Sequence, residues 1–221
     1  MTFFLALILP MLEVNSVLIL SWLPGVWLYS AKGEGLTEFP SDIPATSTKI
    51  DLEKNNIASI PSDAFDGFDN LEHLNLYDND LTAVPDLSAV QDTLIELDLG
   101  KNPSFTLSPY TFANFSKLEK LLFAKAGVQN PVDLFIPEML QKIDFWKCNV
   151  RFLTLRPAGS TSNLKTIDLH LNTNLKSVDI TEVAATIETI DFYNIDFTRI
   201  PDELLEGRCF HISEFLLYQV M

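Results

Sequence analysis

Apolar residues recur along this chain as a fixed phrase, and one copy is complete. From Leu71 to Leu81 it runs Leu-x-x-Leu-x-Leu-x-x-Asn-x-Leu, with Leu74 and Leu76 at its centre and Asn79 near its end. The first position returns at Ser47, Leu71, Leu94, Leu118, Leu140, Leu164 and Ile187, at spacings of 24, 23, 24, 22, 24 and 23 residues. The two central positions are apolar every time: Ile50 and Leu52, Leu74 and Leu76, Leu97 and Leu99, Leu121 and Phe123, Ile143 and Phe145, Ile167 and Leu169, Ile190 and Phe192. Alternation of this kind belongs to a short strand, whose successive side chains point to opposite faces. One such strand cannot bury its apolar side alone, so stacked copies must supply each other's core. The period therefore predicts a solenoid of about seven turns around a parallel sheet.

The connecting segments carry a pattern too. Asn55, Asn79, Asn102 and Asn172 stand eight residues into their copies, where a buried amide can pair backbone groups of adjacent turns. Ala126, Cys148 and Ile195 take that place in the other three. Ile60-Pro61, Val84-Pro85 and Ile200-Pro201 open the return path with a proline-fixed extended turn. Phe65 and Phe112 predict an aromatic spine on the convex side. The stretch from Val150 to Ser162, with Arg151, Arg156, Pro157 and Gly159, predicts a looser convex loop.

Composition narrows the class. With 47% apolar and 20% charged residues among 221, the chain is not of the disordered kind. Its net charge of −15 repels phosphate backbones, so nucleic acid is not an expected partner. The two cysteines, Cys148 and Cys209, cannot build a disulfide framework and form no C-x-x-C motif. Cys148 sits at the asparagine position and is expected to be buried and inert. Cys209 is either available for an intermolecular disulfide or a free thiol in the tail.

The N-terminus differs in kind. Residues 1–31 hold one charged group, Glu13, and an apolar run from Val17 to Leu28, as in a secretory signal cleaved near Ser30 or Ala31. An uncleaved anchor is the alternative, because Met1 to Leu28 is long enough to span a bilayer. The expected organisation is a signal peptide or signal anchor over 1–31, a flank or cap over 32–46, repeats over 47–207 and a patternless tail over 208–221. In the cap, Leu36, Phe39 and Ile43 are the residues available to cover the first apolar face. A cleaved signal makes the protein secreted and extracellular; an anchor holds it on a membrane with the repeats outside. Asn114-Phe115-Ser116 is the only glycosylation sequon.

Candidate chemistry lies in the residues that alternate away from the core. One column reads Asp51, Asn75, Asp98, Leu122, Asp144, Asp168 and Asp191, and a second reads Glu53, Tyr77, Gly100, Ala124, Trp146, His170 and Tyr193. A third reads Lys54, Asp78, Lys101, Lys125, Lys147, Leu171 and Asn194. The aspartates either receive a basic ligand or cation or simply solvate the strands. Tryptophan and tyrosine on such a face are the residues that anchor protein interfaces, and lysines beside them tune association rate. The candidate ligand-binding set is Tyr77, Asp98, Asp144, Trp146, Asp168, His170, Asp191 and Tyr193, and the expected partner is a protein. Catalysis is not expected: His73, His170 and His211 are scattered, and no nucleophile elbow, zinc-protease helix or phosphate loop occurs. Asp63, Asp66 and Asp69 fail the spacing of a calcium loop, so neither a metal nor a cofactor is expected.

The phrase, its period and the stretch Gly35-Leu36-Thr37-Glu38-Phe39-Pro40-Ser41-Asp42-Ile43-Pro44 resemble the extracellular, typical-period leucine-rich-repeat family. That family includes variable lymphocyte receptors, Toll-like receptor ectodomains and small matrix proteoglycans. The resemblance covers about Leu36 to Gly207, although the cysteine clusters of the family's terminal caps are missing here. It implies an α/β solenoid, a horseshoe with the parallel sheet on its concave face. It also implies a secreted protein-binding module that holds a protein partner on that face, for adhesion, immune or matrix purposes. The alternative is a membrane-anchored receptor or adhesion fragment.

Overall fold

A computed structural model describes residues 27–195 and the backbone of residues 18–20 and 211–212. Each copy of the phrase forms a three-residue strand centred on its first core slot. In chain order the strands are β1 (Leu18–Leu20), β2 (Leu28–Ser30), β3 (Lys49–Asp51), β4 (His73–Asn75), β5 (Glu96–Asp98), β6 (Lys120–Leu122) and β7 (Val132–Ile136). They continue as β8 (Lys142–Asp144), β9 (Phe152–Pro157), β10 (Thr166–Asp168), β11 (Ser177–Asp179), β12 (Thr189–Asp191) and β13 (His211–Ile212). The concave sheet runs β1-β2-β3-β4-β5-β6-β8-β10-β12-β13, parallel throughout except for the antiparallel β1–β2 pair.

Register follows the phrase without a slip. Ile50, Leu74, Leu97, Leu121, Ile143, Ile167 and Ile190 pair in one continuous ladder. All fourteen central side chains are buried, each stabilising the fold by about 1.5–3 kcal/mol. The asparagines lock the turns to one another. Asn79 donates from Nδ2 to Leu52 O at 3.0 Å in the preceding turn and to Leu76 O at 3.1 Å in its own. Its Oδ1 accepts from Ile57 N–H at 3.1 Å. Asn102 repeats this with Leu76 O, Leu99 O and Leu81 N–H, and Asn172 with Phe145 O, Leu169 O and Val150 N–H. Cys148 reaches Phe123 O through Sγ at 2.9 Å, so the thiol takes over one donor bond and loses the acceptor. Burial pushes that thiol well above the ordinary cysteine range, in line with an inert core role.

The convex side is built from turns, two short 3-10 segments (Ser88–Val90 and Ala184–Thr186) and a second sheet, with no α-helix among the described residues. That sheet, in the order β11-β9-β7, is parallel. It corrects the expectation of a looser loop over Val150 to Ser162. Leu153 and Leu155 point inward from β9 while Thr154 and Arg156 point outward, a period-2 alternation that Arg156, Pro157 and Gly159 obscure. Phe65 and Phe112 are buried as expected, edge-on to Phe39 at 5.2 Å and Phe123 at 5.9 Å. No helix among the described residues is long and apolar enough to cross a membrane.

Part of the segment expected to be removed as a signal is integral to the sheet. Strand β2 pairs with β3, and Tyr29 is only 2% exposed. Its hydroxyl donates to Asp42 Oδ1 at 3.3 Å, and burial pushes its pKa up to about 12. Ala31 N–H donates to Asp51 O at 2.9 Å, while Ala31 O accepts from Asn55 Nδ2 at 2.9 Å. Leu36 and Phe39 pack against the core and Ile43 is buried, as the cap expectation requires. The residues before Leu18, Ile200-Pro201, Cys209 and the rest of the 208–221 tail lie outside the described residues. A chain begun at Trp27 loses the β1–β2 pairing but keeps β2 on β3, and should be the less destabilised of two truncations. A chain begun at Lys32 exposes the Ile50 edge and should lose about 3–5 kcal/mol, the scale of deleting one buried aromatic side chain. Urea denaturation of both would measure the difference.

Candidate functional site

The concave face is shaped by how each strand ends. The residue two positions after the second core slot adopts left-handed backbone in every turn: Lys54, Asp78, Lys101, Lys125, Lys147, Leu171 and Asn194 all have φ between 50° and 61°. This is the third outward column, and it forms the rim of the groove rather than its floor. The aspartate column supplies the brace for the turn. Asp51, Asp98, Asp144, Asp168 and Asp191 each accept, through Oδ1, the backbone N–H two residues on, at 2.8–3.1 Å, and Asn75 does the same for Tyr77. Asx turns of this kind are the local reason an aspartate follows the core slot. Leu122 has no such oxygen.

Strand alternation places a further column on the floor: Lys49, His73, Glu96, Lys120, Lys142, Thr166 and Thr189. These residues precede the first core slot, and His73 alone among them stands out in the sequence. Period-2 geometry alone points to them, since they share a face with the aspartates. They balance much of the acidic charge. Lys120 Nζ lies 3.0 Å from Glu96, Lys142 Nζ lies 3.7 Å from Asp144, and at the N-terminal end Lys32 and Lys54 hold Glu53 at 2.7 and 3.2 Å. His73 stands 3.7 Å from Glu96, but burial first and Lys49 second lower its pKa, leaving it neutral at pH 7.

The second column holds the aromatic candidates. Tyr77 lies over Gly100, where an added Cβ would come within 2.7 Å of its ring. Further along, three side chains from successive turns form one stack. Lys125 Nζ sits 4.4 Å from the Trp146 ring centre, Trp146 stacks on His170 at 5.0 Å, and His170 Nδ1 is 2.5 Å from Asp168 Oδ1. Tyr193, 45% exposed, stands next in the column. The Trp146 Nε1 donor is buried without an acceptor, alone in this among side-chain polar atoms of the described residues. Thus Trp146, Asp168, His170, Asp191 and Tyr193 come together on neighbouring turns, Asp144 borders them, and Tyr77 and Asp98 lie apart toward the N-terminal half. Asp168, His170 and Asp191 bring potential ligand atoms within 4.8 Å of one another.

Burial raises Asp168 above the usual carboxylate range, opposed by its hydrogen bond from His170. Asp98 is pushed further, to about 6, by burial first and by the charges of Asp144, Glu96 and Glu53, against the favourable Gly100 N–H.

Comparison with known proteins agrees with this architecture. Residues 48–91 match the family model described as leucine rich repeat. Leucine-rich repeats and immunoglobulin-like domains protein 1 of Homo sapiens is 34% identical over 70 residues, 32% of this chain and 6% of that protein. Lumican of Oryctolagus cuniculus is 35% identical over 69 residues, 30% of this chain and 36% of lumican. Leucine-rich repeat serine/threonine-protein kinase 1 of Mus musculus is 30% identical over 149 residues, 62% of this chain and 7% of the kinase. The matched part is therefore well under two thirds of each relative. The repeats of this chain are leucine-rich repeats.

The Asp98 shift has a testable sign. Its folded-state pKa, about 6, lies above the ordinary 3.8, so its contribution to stability is fully present below about pH 4 and is lost as pH rises through 6. Asp98→Asn keeps the oxygen that accepts from Gly100 and removes the buried charge. Thermal melts should show the variant more stable by about 1–3 kcal/mol at pH 7.5 and equal to the parent at pH 3.5.

Proposed function

We propose that this leucine-rich-repeat protein is a secreted binding module that holds a protein partner on its concave face. The observation that carries the proposal is the Lys125–Trp146–His170 stack, continued by the exposed ring of Tyr193. Rigid aromatic groups side by side are the residues that dominate the energetics of protein interfaces. The candidate contact set is Trp146, Asp168, His170, Asp191 and Tyr193, with Asp144, Tyr77 and Asp98 extending it toward the N-terminal half. The kinase match adds no enzymatic role, since it spans 7% of that protein.

The extracellular setting rests on the apolar N-terminal segment, with a membrane anchor as the second reading; one further relative, from Bos taurus, is named as a G-protein coupled receptor. A processed leader that leaves a folded solenoid ends before Trp27, because Tyr29 and Ala31 are built into the first turn. Asn114 is exposed on the convex side, where a glycan leaves the concave groove open.

Two outcomes test the proposal. Partner affinity, measured by biolayer interferometry on material cross-linked from conditioned medium, should fall at least about tenfold for Trp146→Ala and for Tyr193→Ala. The convex variant Phe152→Ala should bind as the parent does; loss of binding in that variant alone would move the interface to the convex side. Secreted chain should shift in electrophoretic mobility on glycosidase treatment, and Asn114→Gln should abolish the shift.

A further inference from the structure

We propose that Asp168, His170 and Asp191 form a binding site for a divalent transition-metal cation of the zinc type on the concave face. Potential ligand atoms of the three side chains lie within 4.8 Å of one another. Ligands bound to one zinc at about 2.0–2.2 Å sit roughly 3.3 Å apart, so side-chain rotation alone closes the difference. Acidic surface is common without a metal. Here the imidazole turns a carboxylate pair into a mixed nitrogen–oxygen donor set. Such a set suits zinc and its neighbours, whereas calcium prefers six to eight oxygens.

Charge bookkeeping across the sheet points the same way. In the first turns, acids of the floor column are separated by neutral residues: Asn75 stands between Asp51 and Asp98, and Leu122 between Asp98 and Asp144. Asp168 and Asp191 instead face each other directly across the β10–β12 ladder, an arrangement of like charges that opposes pairing. Asp144 has Lys142 at 3.7 Å. Among the described residues, Asp191 has no basic group within 4.0 Å, and Asp168 has only His170. A bound dication supplies the missing counter-charge. The site is also pre-shaped: Trp146 fixes the imidazole plane by stacking, and one oxygen of each aspartate already braces its own turn. Three protein ligands on an open face leave a coordination position for water or for a group from outside.

The test is calorimetric titration of the chelator-treated full chain with zinc chloride, with no protein partner present, so that its outcome is independent of the docking proposal. One zinc per chain should bind. His170→Phe, which keeps a ring on Trp146, and Asp191→Asn, which keeps the bracing oxygen, should each weaken zinc at least about tenfold. Both variants should melt like the parent in the absence of zinc, and His73→Ala should bind zinc like the parent. Cobalt(II) should give a visible absorption band that His170→Phe abolishes. No zinc uptake by the parent overturns the site. So does uptake that survives both substitutions, or an equal response to calcium chloride that survives His170→Phe.

Discussion

A parallel stack of three-residue strands has one weakness on which everything else depends. Where each strand ends, backbone carbonyls and amides are carried into the interior with no helix or hairpin to pair them. Leaving such a group unpaired costs about 1–3 kcal/mol, and a solenoid repeats the problem every turn. The buried asparagine solves it locally and between turns at once, since one amide has two donors and an acceptor. Asn79 bridges Leu52 O, Leu76 O and Ile57 N–H, and so joins three segments with a single side chain. The spacing of the repeat is then dictated by the reach of an amide as much as by the packing of leucines.

The concave face inherits its regularity from this constraint. Because every turn closes in the same way, the residue beyond the strand adopts left-handed backbone and the aspartate beneath it braces the next N–H. Side chains of one column are thereby held one strand spacing apart, about 4.8 Å. That is a distance at which aromatic rings stack and ligand atoms converge. Trp146 and His170 meet for this reason, though they are a full repeat apart in the chain. The braces also limit what the aspartates can offer a ligand. One oxygen of each is committed to the fold, and at Asp168 that same oxygen also meets His170 Nδ1.

This division explains how much could be seen beforehand. The core was legible because a leucine slot tolerates few substitutes, and the asparagine positions because few side chains can replace an amide there. The columns were legible as columns, but which members cooperate was not. Whether the His170 ring lies on Trp146 depends on torsions that periodicity does not specify. The left-handed rim was hidden because its residues carry little signal: Asp78 and Asn194 tolerate positive φ, whereas the lysines and Leu171 do not advertise it. The convex strand at Phe152–Pro157 was masked by its arginine and proline. Strand β2 falls within the segment expected to be a signal or anchor because a buried strand and a signal core are both simply apolar; in the folded chain Tyr29 pairs with Ile50.

One end of the candidate site, Lys125 and Trp146, lies over the part of the solenoid where the amide ladder is interrupted. At the fourth and fifth turns Ala126 and Cys148 replace asparagine, and at the same turns phenylalanine replaces leucine in the second slot. Phe123 and Phe145 stack at 5.2 Å with planes nearly parallel, and Phe105 and Phe112 meet Phe123 edge-on. The two substitutions are coupled physically. A larger ring fills volume that a leucine and a polar rung otherwise share, and ring stacking contributes about 0.5–1.5 kcal/mol beyond area burial. Side-chain bonds between turns are fewer here: Ala126 has no polar side chain, its N–H bonding Phe123 O of its own turn, and Cys148 reaches Phe123 O of the preceding turn through its thiol alone. Cohesion therefore comes from non-directional packing, which tolerates small shifts between neighbouring turns better than a three-bond amide bridge does. Lys125 and Trp146 stand directly above these two turns. A binding surface that must adjust around a ligand is best placed where the turns beneath it are held by rings, while the amide-bridged turns of Asn55, Asn79 and Asn102 on one side and Asn172 on the other keep the curvature fixed.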